Sequence, residues 1–466
     1  AAADYAPESV EMRTGVPAAD VRILARALAG APTAAVHGRT GACLGRHATL
    51  VNVLIDALNL VTGNLDRPGG LVFGSGPVDL ATLAKLGNSA TYDTYRSRVS
   101  DLPEVIGQLP APLMAEEIET PGPGQLRALI VSAGNPVLSV PGAERFERAL
   151  GTLDLQVAID FYLNETHRHA DYVLPAATFY ERDDVVVAAL DFHLTPFIQW
   201  TDAVTAPRGE AKPDWQIIDA LGKEMGIRPV AGLPAGMLGT GRAAKLAARV
   251  LSPATAWVTP ERAIDLLLRT GRHRLSVATL RKHPRGMVLA EHVSTGVLRR
   301  KARGGKVRLD DPRIADALLR LAAEPAPDPE YPVMLIGKRD VRSQNSWMHN
   351  TPKHRDAQRR QRALISPKDA AELGIDDGDS VRIISVDGVL EVPVHVTDDV
   401  GTGTIAVPHG WGHRGGGWTV ANAAGGVNIN EITPASAATL EPLSGMAHLN
   451  GIPVRLEAAV AQAGTG

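Results

Sequence analysis

Residues 323–332, Ala-Glu-Pro-Ala-Pro-Asp-Pro-Glu-Tyr-Pro, cut the chain into two parts with different hydrophobic periods. Proline fixes φ and removes a backbone donor, so neither a helix nor a central strand can run through this stretch. Before it, apolar residues recur mostly at helical spacing or in short buried runs; after it they alternate. One continuous core cannot serve both patterns, and at 466 residues the chain is also too long for one. The expected division is an α/β region over 1–322 and a β-rich domain over 331–460.

In the first part, residues 7–30 read as helix, with Val16-Pro17 opening a second segment in which Val21, Leu24, Ala25 and Leu28 share a face. Ala34-Ala35-Val36 reads as a short buried strand, and Ala48 to Val61 as a long amphipathic helix. Residues 63–125 are rich in Gly and Pro and poor in periodicity. A clean alternation follows: strand at 128–131, helix at 144–150, strand at 156–159, a short helix over 164–169, strand at 172–174. Short links between such elements imply parallel strands with crossover helices. Residues 210–320 read as mainly helical.

Beyond the linker, 379–385 and 389–396 alternate as strands, with Asp387-Gly388 as a two-residue hairpin turn. Ser366 is placed to cap a helix with Pro367 at its first position, Asp369 in a capping-box position and Gly374 at its end. The segment is expected to close into a barrel with one or two inserted helices.

Several polar turns could carry chemistry. Gly134-Asn135-Pro136 follows a strand, where ligands of open α/β sheets sit, although an ordinary strand-to-helix turn has the same composition. Asp160 ends the next strand. Its carboxylate can accept from ribose hydroxyls or from the donor edge of guanine, or it can cap the helix at Asn164. His167 and His169 fit no standard zinc spacing. Arg339 to Asn350 combines Arg339, Arg342, Ser343, Asn345 and Ser346 in one loop, a set suited to a pyrophosphate and a purine edge. Pro408-His409-Gly410-Trp411-Gly412-His413 offers close backbone approach and an indole able to stack, and Asn430 follows a second glycine-rich loop. No nucleophilic triad, catalytic residue or metal-ligand set is defined by spacing.

The net charge of −3 argues against nucleic acid, and no run of about 18 apolar residues is present to span a bilayer. The N-terminus carries neither the basic nor the apolar stretch of a secretory leader and has no initiator Met, which is read as a processed chain or a fragment. A single cysteine, Cys43, leaves the chain without a disulfide or a cluster-ligand set and fits a cytoplasmic location.

Taken in order, Gly63 to Gly70, Ala133 to Pro136, Asp160 to Thr166, His169 to Ala176, Glu181, Arg339 to Asn350, Ile365 to Asp379 and Pro408 to Gly410 resemble the dimethyl-sulfoxide-reductase family of molybdopterin oxidoreductases. That family includes formate dehydrogenases, periplasmic nitrate reductases and polysulfide or thiosulfate reductases. The resemblance implies a bis-molybdopterin guanine dinucleotide cofactor with Mo or W, and a terminal six-stranded double-psi barrel. Gly134, Asn135, Pro136, Asp160, Asn164 and Thr166 would serve one dinucleotide. Arg339, Arg342, Ser343, Asn345 and Ser346, with His409, Trp411 and Asn430, would serve the other or the pterins.

The sequence also departs from the family. It has no Cys-rich segment for a [4Fe-4S] cluster, and the residue that ligates molybdenum would lie ahead of residue 1. Phe73-Gly74-Ser75-Gly76 stands where formate dehydrogenases carry Arg-Gly-Gln, which counts against formate. The expectation is a C-terminal portion of an oxidoreductase that orients the cofactor for two-electron chemistry, working with a missing N-terminal segment or partner chain and an electron-transfer subunit. The alternatives are a non-catalytic cofactor-binding subunit and a non-redox member such as a hydratase.

Overall fold

The computed structural model describes residues 5–74, 76–79, 84–85, 90–186, 193–225, 259–302, 306–326, 328–354 and 360–459. The remaining residues, among them part of the helix expected over 210–320 and the last residue of the 331–460 domain, lie outside that description.

The first part opens with helices α1 (Pro7–Thr14) and α2 (Ala18–Gly30), broken at Gly15, whose φ of 69° ends α1 in a left-handed cap. Helix α3 (Ala48–Val61) forms as its pattern requires. The strand expected at Ala34-Ala35-Val36 does not form, because no strand lies beside it among the described residues. Its backbone is instead gripped by side chains: Asn59 Nδ2 donates to the Val36 carbonyl at 2.8 Å, and Asn59 Oδ1 accepts from Val36 N at 2.9 Å. The irregular stretch after α3 holds a small antiparallel pair, β1 (Tyr92–Arg96) with β2 (Pro103–Val105), and helix α4 (Met114–Glu119).

The parallel sheet follows the expected alternation. Strands β3 (Ala128–Ser132), β4 (Leu155–Asp160) and β5 (Tyr172–Pro175) lie in that order, joined by α5 (Pro136–Ser139) and α6 (Ala143–Leu150) between β3 and β4. Phe146, Ala149 and Leu150 of α6 pack with Ala115 and Ile118 of α4 on one sheet face. Ile217 of α7 (Asp214–Glu224) meets Ile159 on the other. The helix expected over 164–169 shrinks to a 3-10 turn at His167–His169. The Asn164 carbonyl arm takes the N–H groups of Thr166 and His167, at 3.0 and 2.9 Å, and stops a regular helix from starting earlier. Further on, a two-stranded ribbon, β6 (Phe197–Ile198) with β7 (Met287–Val288), organises a separate small core around Trp200, Leu268 and Leu280.

After the linker the chain closes into a six-stranded barrel ordered β10-β11-β9-β12-β8-β13, from β8 (Val333–Lys338), β9 (Ala363–Ile365), β10 (Ser380–Ile384), β11 (Val389–Val396), β12 (Thr404–Pro408) and β13 (Asn450–Ala458). Alternation drives it most plainly in β11, where Leu390, Val392 and Val394 fill the interior while Glu391, Pro393 and His395 are exposed; Val381, Ile383, Ile405 and Val407 join them inside. The inserted helix Pro367–Leu373 has the expected ends, with Ser366 Oγ accepting from Asp369 N at 3.1 Å and Gly374 at φ 66°. The hairpin turn sits one residue earlier than the Asp387-Gly388 expectation. Ser385 N bonds the Gly388 carbonyl at 3.0 Å, so Val386 and Asp387 are its central residues. Gly388 is small for another reason, since a Cβ there would stand 3.1 Å from the Glu431 carbonyl oxygen.

Candidate functional site

Because β3 and β4 are parallel neighbours in register, the loops that follow them leave the same edge of the sheet. In the first loop the left-handed residue is Ala133, at φ 51°, not the glycine beside it. A Cβ on Gly134 would meet its nearest neighbour at an ordinary 3.6 Å. Asn135 precedes α5 and Pro136 opens it. Asn135 Oδ1 accepts from Thr166 Oγ1 at 2.9 Å, and Thr166 Oγ1 in turn accepts from Val137 N at 3.0 Å. Asn164 Nδ2 donates to the Gly134 carbonyl at 3.2 Å. The structure therefore brings Gly134, Asn135, Pro136, Asn164 and Thr166 together, and the side chains of the three polar residues lock the two loops to each other.

Asp160 ends β4 as expected, but its capping role is local. Its Oδ1 accepts from Phe161 N at 2.7 Å and Tyr162 N at 3.2 Å, while the cap for the next turn is Asn164. Its other oxygen lies 3.5 Å from Nδ1 of the fully buried His167. Burial pushes the Asp160 carboxyl up from its ordinary value, against the pull of those two backbone N–H groups and of His167. His167 and His169 face different partners, the Tyr162 carbonyl at 3.1 Å and Glu147 at 3.2 Å. Among the described residues no group of three or more His, Cys, Asp or Glu side chains is placed to hold a metal ion.

The barrel meets this sheet edge through the loop after β12. Gly410 and Gly412 both stand at φ 83°, and a Cβ on either would come within 2.6 Å of backbone, at Asn345 O and Asn428 N respectively. Gly415 touches the sheet side, with Asn164 C and Glu165 N 2.9 Å from where its Cβ would be. Glu165 clamps this approach. Its Oε1 accepts from the backbone N–H groups of Arg414 at 2.6 Å and Gly415 at 2.8 Å, and its Oε2 accepts from Asn135 Nδ2 at 2.6 Å. Burial alone would push this carboxyl up. His413 beside it, the Arg414 N–H and the Asn135 amide outweigh that and hold it at about 2, so it is ionised. Asn430 adds a second tie, with Nδ2 donating to the Leu138 carbonyl at 2.8 Å.

Aromatic rings line the same junction. Tyr162 stacks on Trp418 at 4.4 Å between centroids, His413 lies 5.2 Å from Trp418, and His349 lies 4.6 Å from Trp411. Trp411 is buried, so it serves this cluster and is not an open stacking platform. The indole N–H groups of Trp411 and Trp418 and both ring nitrogens of His413 are buried without a hydrogen-bond partner among the described residues. His413 Nδ1 stands 3.6 Å from Glu165, beyond hydrogen-bond distance.

The Arg339–Asn350 loop joins from the barrel side. The Arg339 guanidinium donates to Asn345 Oδ1, and buried Ser343 donates its hydroxyl to the Asp340 carbonyl at 2.8 Å. Ser346 is half-buried behind Gly410. Arg342 is exposed and makes no ion pair among the described residues. Half-buried His409 is pushed below its ordinary value by burial and then by the charge of Arg339. A cavity of about 230 Å³ beside these loops is lined by Lys338, Asp340, Arg360, Arg362, His395 and Trp411. A larger one, about 430 Å³, runs along α7 and is not part of this junction.

Glu165, His413, Trp418, Tyr162 and His349 were not among the residues singled out as candidates. Beyond the glycines at 410 and 412, the Gly415-Gly416-Gly417-Trp418 run signals the close approach; nothing local marks Glu165, whose two barrel-side donors lie about 250 positions away.

Residues 26–224 match the family model described as molybdopterin oxidoreductase, and residues 333–453 match the molydopterin dinucleotide binding domain. The chain is similar to the thiosulfate reductase molybdopterin-containing subunit of Salmonella typhimurium, 29% identical over 47% of this chain and 31% of that protein. It is similar also to the dimethyl sulfoxide/trimethylamine N-oxide reductase of Rhodobacter capsulatus, 27% identical over 59% of this chain and 34% of that protein. Each alignment thus spans about a third of the curated relative's length. Among solved structures, acetylene hydratase from Pelobacter acetylenicus shares the fold with a TM-score of 0.64 and 18% identity, covering 97% of this chain and 64% of that one.

Proposed function

The chain belongs to the molybdopterin oxidoreductase family, and from that premise we propose that it is the part of a molybdenum oxidoreductase that grips and orients a bis-molybdopterin guanine dinucleotide. The observation that carries this reading is the meeting of the two strand-end loops with the two barrel loops, clamped by Glu165 on the N–H groups of Arg414 and Gly415.

The residues present fit such a group. A long anionic molecule needs cations, donors and close backbone. Arg342 and the 230 Å³ cavity with Lys338, Arg360 and Arg362 supply the first. The unpartnered N–H groups of Trp411 and Trp418 supply the second, since buried donors without partners cost free energy until something accepts from them. Gly410, Gly412 and Gly415 supply the third. When bound, the cofactor supplies two-electron chemistry at its metal. This chain's share is positional. Asp160 would offer its second carboxylate oxygen at the sheet edge, Arg339 and Arg342 would meet phosphate, and the Trp411–His349–His413–Trp418 cluster would exclude water from the junction. The metal ligand, any [4Fe-4S] cluster and an electron partner come from polypeptide beyond these residues.

The decisive experiment is to denature the purified protein and search the supernatant for a fluorescent pterin and released guanine nucleotide. Finding both supports the reading; finding neither in protein from a molybdenum-replete source defeats it. An assay with redox dyes then separates an oxidoreductase from a hydratase that uses the same cradle.

A further inference from the structure

Behind Asp160 stands His167, a fully buried imidazole in the 3-10 turn that follows β4. Its Nδ1 lies 3.1 Å from the Tyr162 carbonyl oxygen. A carbonyl only accepts, so Nδ1 carries the proton and donates it there. Nε2 is buried and has no hydrogen-bond partner among the described residues. Such a nitrogen costs free energy that an apolar ring in its place would not. The chemistry that accounts for a histidine here therefore lies on the Nδ1 side.

Nδ1 faces one more acceptor. Asp160 Oδ2 is 3.5 Å away, near enough for the ring N–H to attract the carboxylate and too far for a full hydrogen bond. The other oxygen, Oδ1, is occupied by the N–H groups of Phe161 and Tyr162, at 2.7 and 3.2 Å. Asp160 thus has one oxygen fixed by backbone and one that is aimed but unsaturated, and 11% of its side-chain surface stays open. Burial and the like charge of Asp214, at the start of α7, disfavour the ionised carboxylate, while the two backbone N–H groups and His167 favour it. The same imidazole reaches the junction with the barrel, because Tyr162, whose carbonyl it holds, stacks on Trp418.

We infer that His167 is a positioning residue for nucleotide recognition: through Nδ1 it holds Asp160 Oδ2 at the sheet edge as a single acceptor for one donor of a bound guanine nucleotide. The inference rests on the cradle reading. The paired N1–H and N2–H edge of guanine calls for two parallel acceptors, and with Oδ1 taken Asp160 presents one. The donor is then a ribose hydroxyl or the N2 amino group alone, each giving a hydrogen bond to a carboxylate oxygen.

The test is calorimetric titration of the full chain, freed of cofactor, with guanosine diphosphate, its 2′,3′-dideoxy analogue, and inosine diphosphate, which lacks the N2 amino group. His167→Phe should weaken guanosine diphosphate binding about tenfold, the effect of one hydrogen bond to a charged group. It should leave the affinity for one analogue unchanged, because that analogue already lacks the donor that Asp160 accepts; which analogue it is identifies the donor. His167→Asn, which keeps an N–H at the Nδ1 position, should bind guanosine diphosphate like the parent. Equal weakening for all three nucleotides marks a purely structural role and overturns the inference, as does unchanged guanosine diphosphate affinity in His167→Phe. If His167→Phe does not fold, nitrogen-15 spectra of the unmodified chain decide. The His167 Nδ1–H signal should move with guanosine diphosphate and with only one analogue; a signal that ignores all three, or follows all three alike, overturns the inference. A parent chain that binds none of the nucleotides defeats the cradle reading and this inference with it, whereas a parent that binds them with no response at His167 defeats this inference alone.

Discussion

The barrel and the parallel sheet are built from similar residues, yet only one of them is finished. All six barrel strands pair on both sides, and the interior positions of Val381, Ile383, Val394, Ile405 and Val454 are fully buried. Among the described residues the three-stranded sheet has no strand beyond β3 and only a single bridge, Lys212 to Pro175 and Ala177, beyond β5, and it leaves Ile130 of β3 49% exposed, although its parallel strands call for cover on both faces. Closure removes edges by geometry; an open sheet needs something else to cover it. The two regions therefore differ in how far each can stand alone, and the junction at Glu165 is where the finished region supports the unfinished one.

The largest expected contrast is between fragments. Residues 331–459 expressed alone should melt cooperatively by calorimetry, whereas residues 5–322 alone should show no sharp transition; equal cooperativity in both would erase the distinction. Next is the clamp. Glu165→Leu strands the N–H groups of Arg414 and Gly415 and should cost about 3–5 kcal/mol of stability in chemical denaturation, with Glu165→Gln costing less.

The same carboxylate sets a pH dependence. Its pKa is depressed, from an ordinary 4.5 to about 2, so its contribution is whole above pH 4.5 and is lost as pH falls towards 2. At about 1.4 kcal/mol per unit this amounts to roughly 3 kcal/mol, and a Glu165→Gln variant should lack that acid-limb slope. Inside the barrel, Ile383→Ala should cost about 2–5 kcal/mol, while Ile130→Ala on the open sheet should cost under about 1, because little apolar area leaves water there. A comparable loss at both positions would show that the sheet face is covered after all. Gly410→Ala probes the junction itself. Its φ of 83° and a Cβ 2.6 Å from Asn345 O should cost about 1–3 kcal/mol and loosen the Arg339–Asn350 loop, read as weaker guanosine diphosphate affinity by calorimetry.

How much of this was legible depends on the range of the interactions. The Ser366-Pro367-Asp369 start and the Gly374 stop each rest on bonds that reach within about one turn, so the residues alone predict that helix and the structure has it. The barrel strands were legible because alternation is set residue by residue. The extended segment at Ala34–Val36 was misjudged as a strand because strandedness needs a partner, and the partner found is a pair of asparagine side chains. The structure brings Asn135, Asn164 and Thr166 together, but the sequence did not reveal that their polar atoms bind one another.

By itself the sequence determined most stretches that run as helix or strand, and the kinship that its ordered turns carry, because periodicity, caps and proline act over a few residues. Only the tertiary structure decided that Glu165 is an ionised clamp and that Trp411 is buried in a ring cluster. Those properties are set by groups tens to hundreds of positions apart, and burial, which fixes both the cost of a charge and the value of an apolar side chain, exists only after the chain has closed around them.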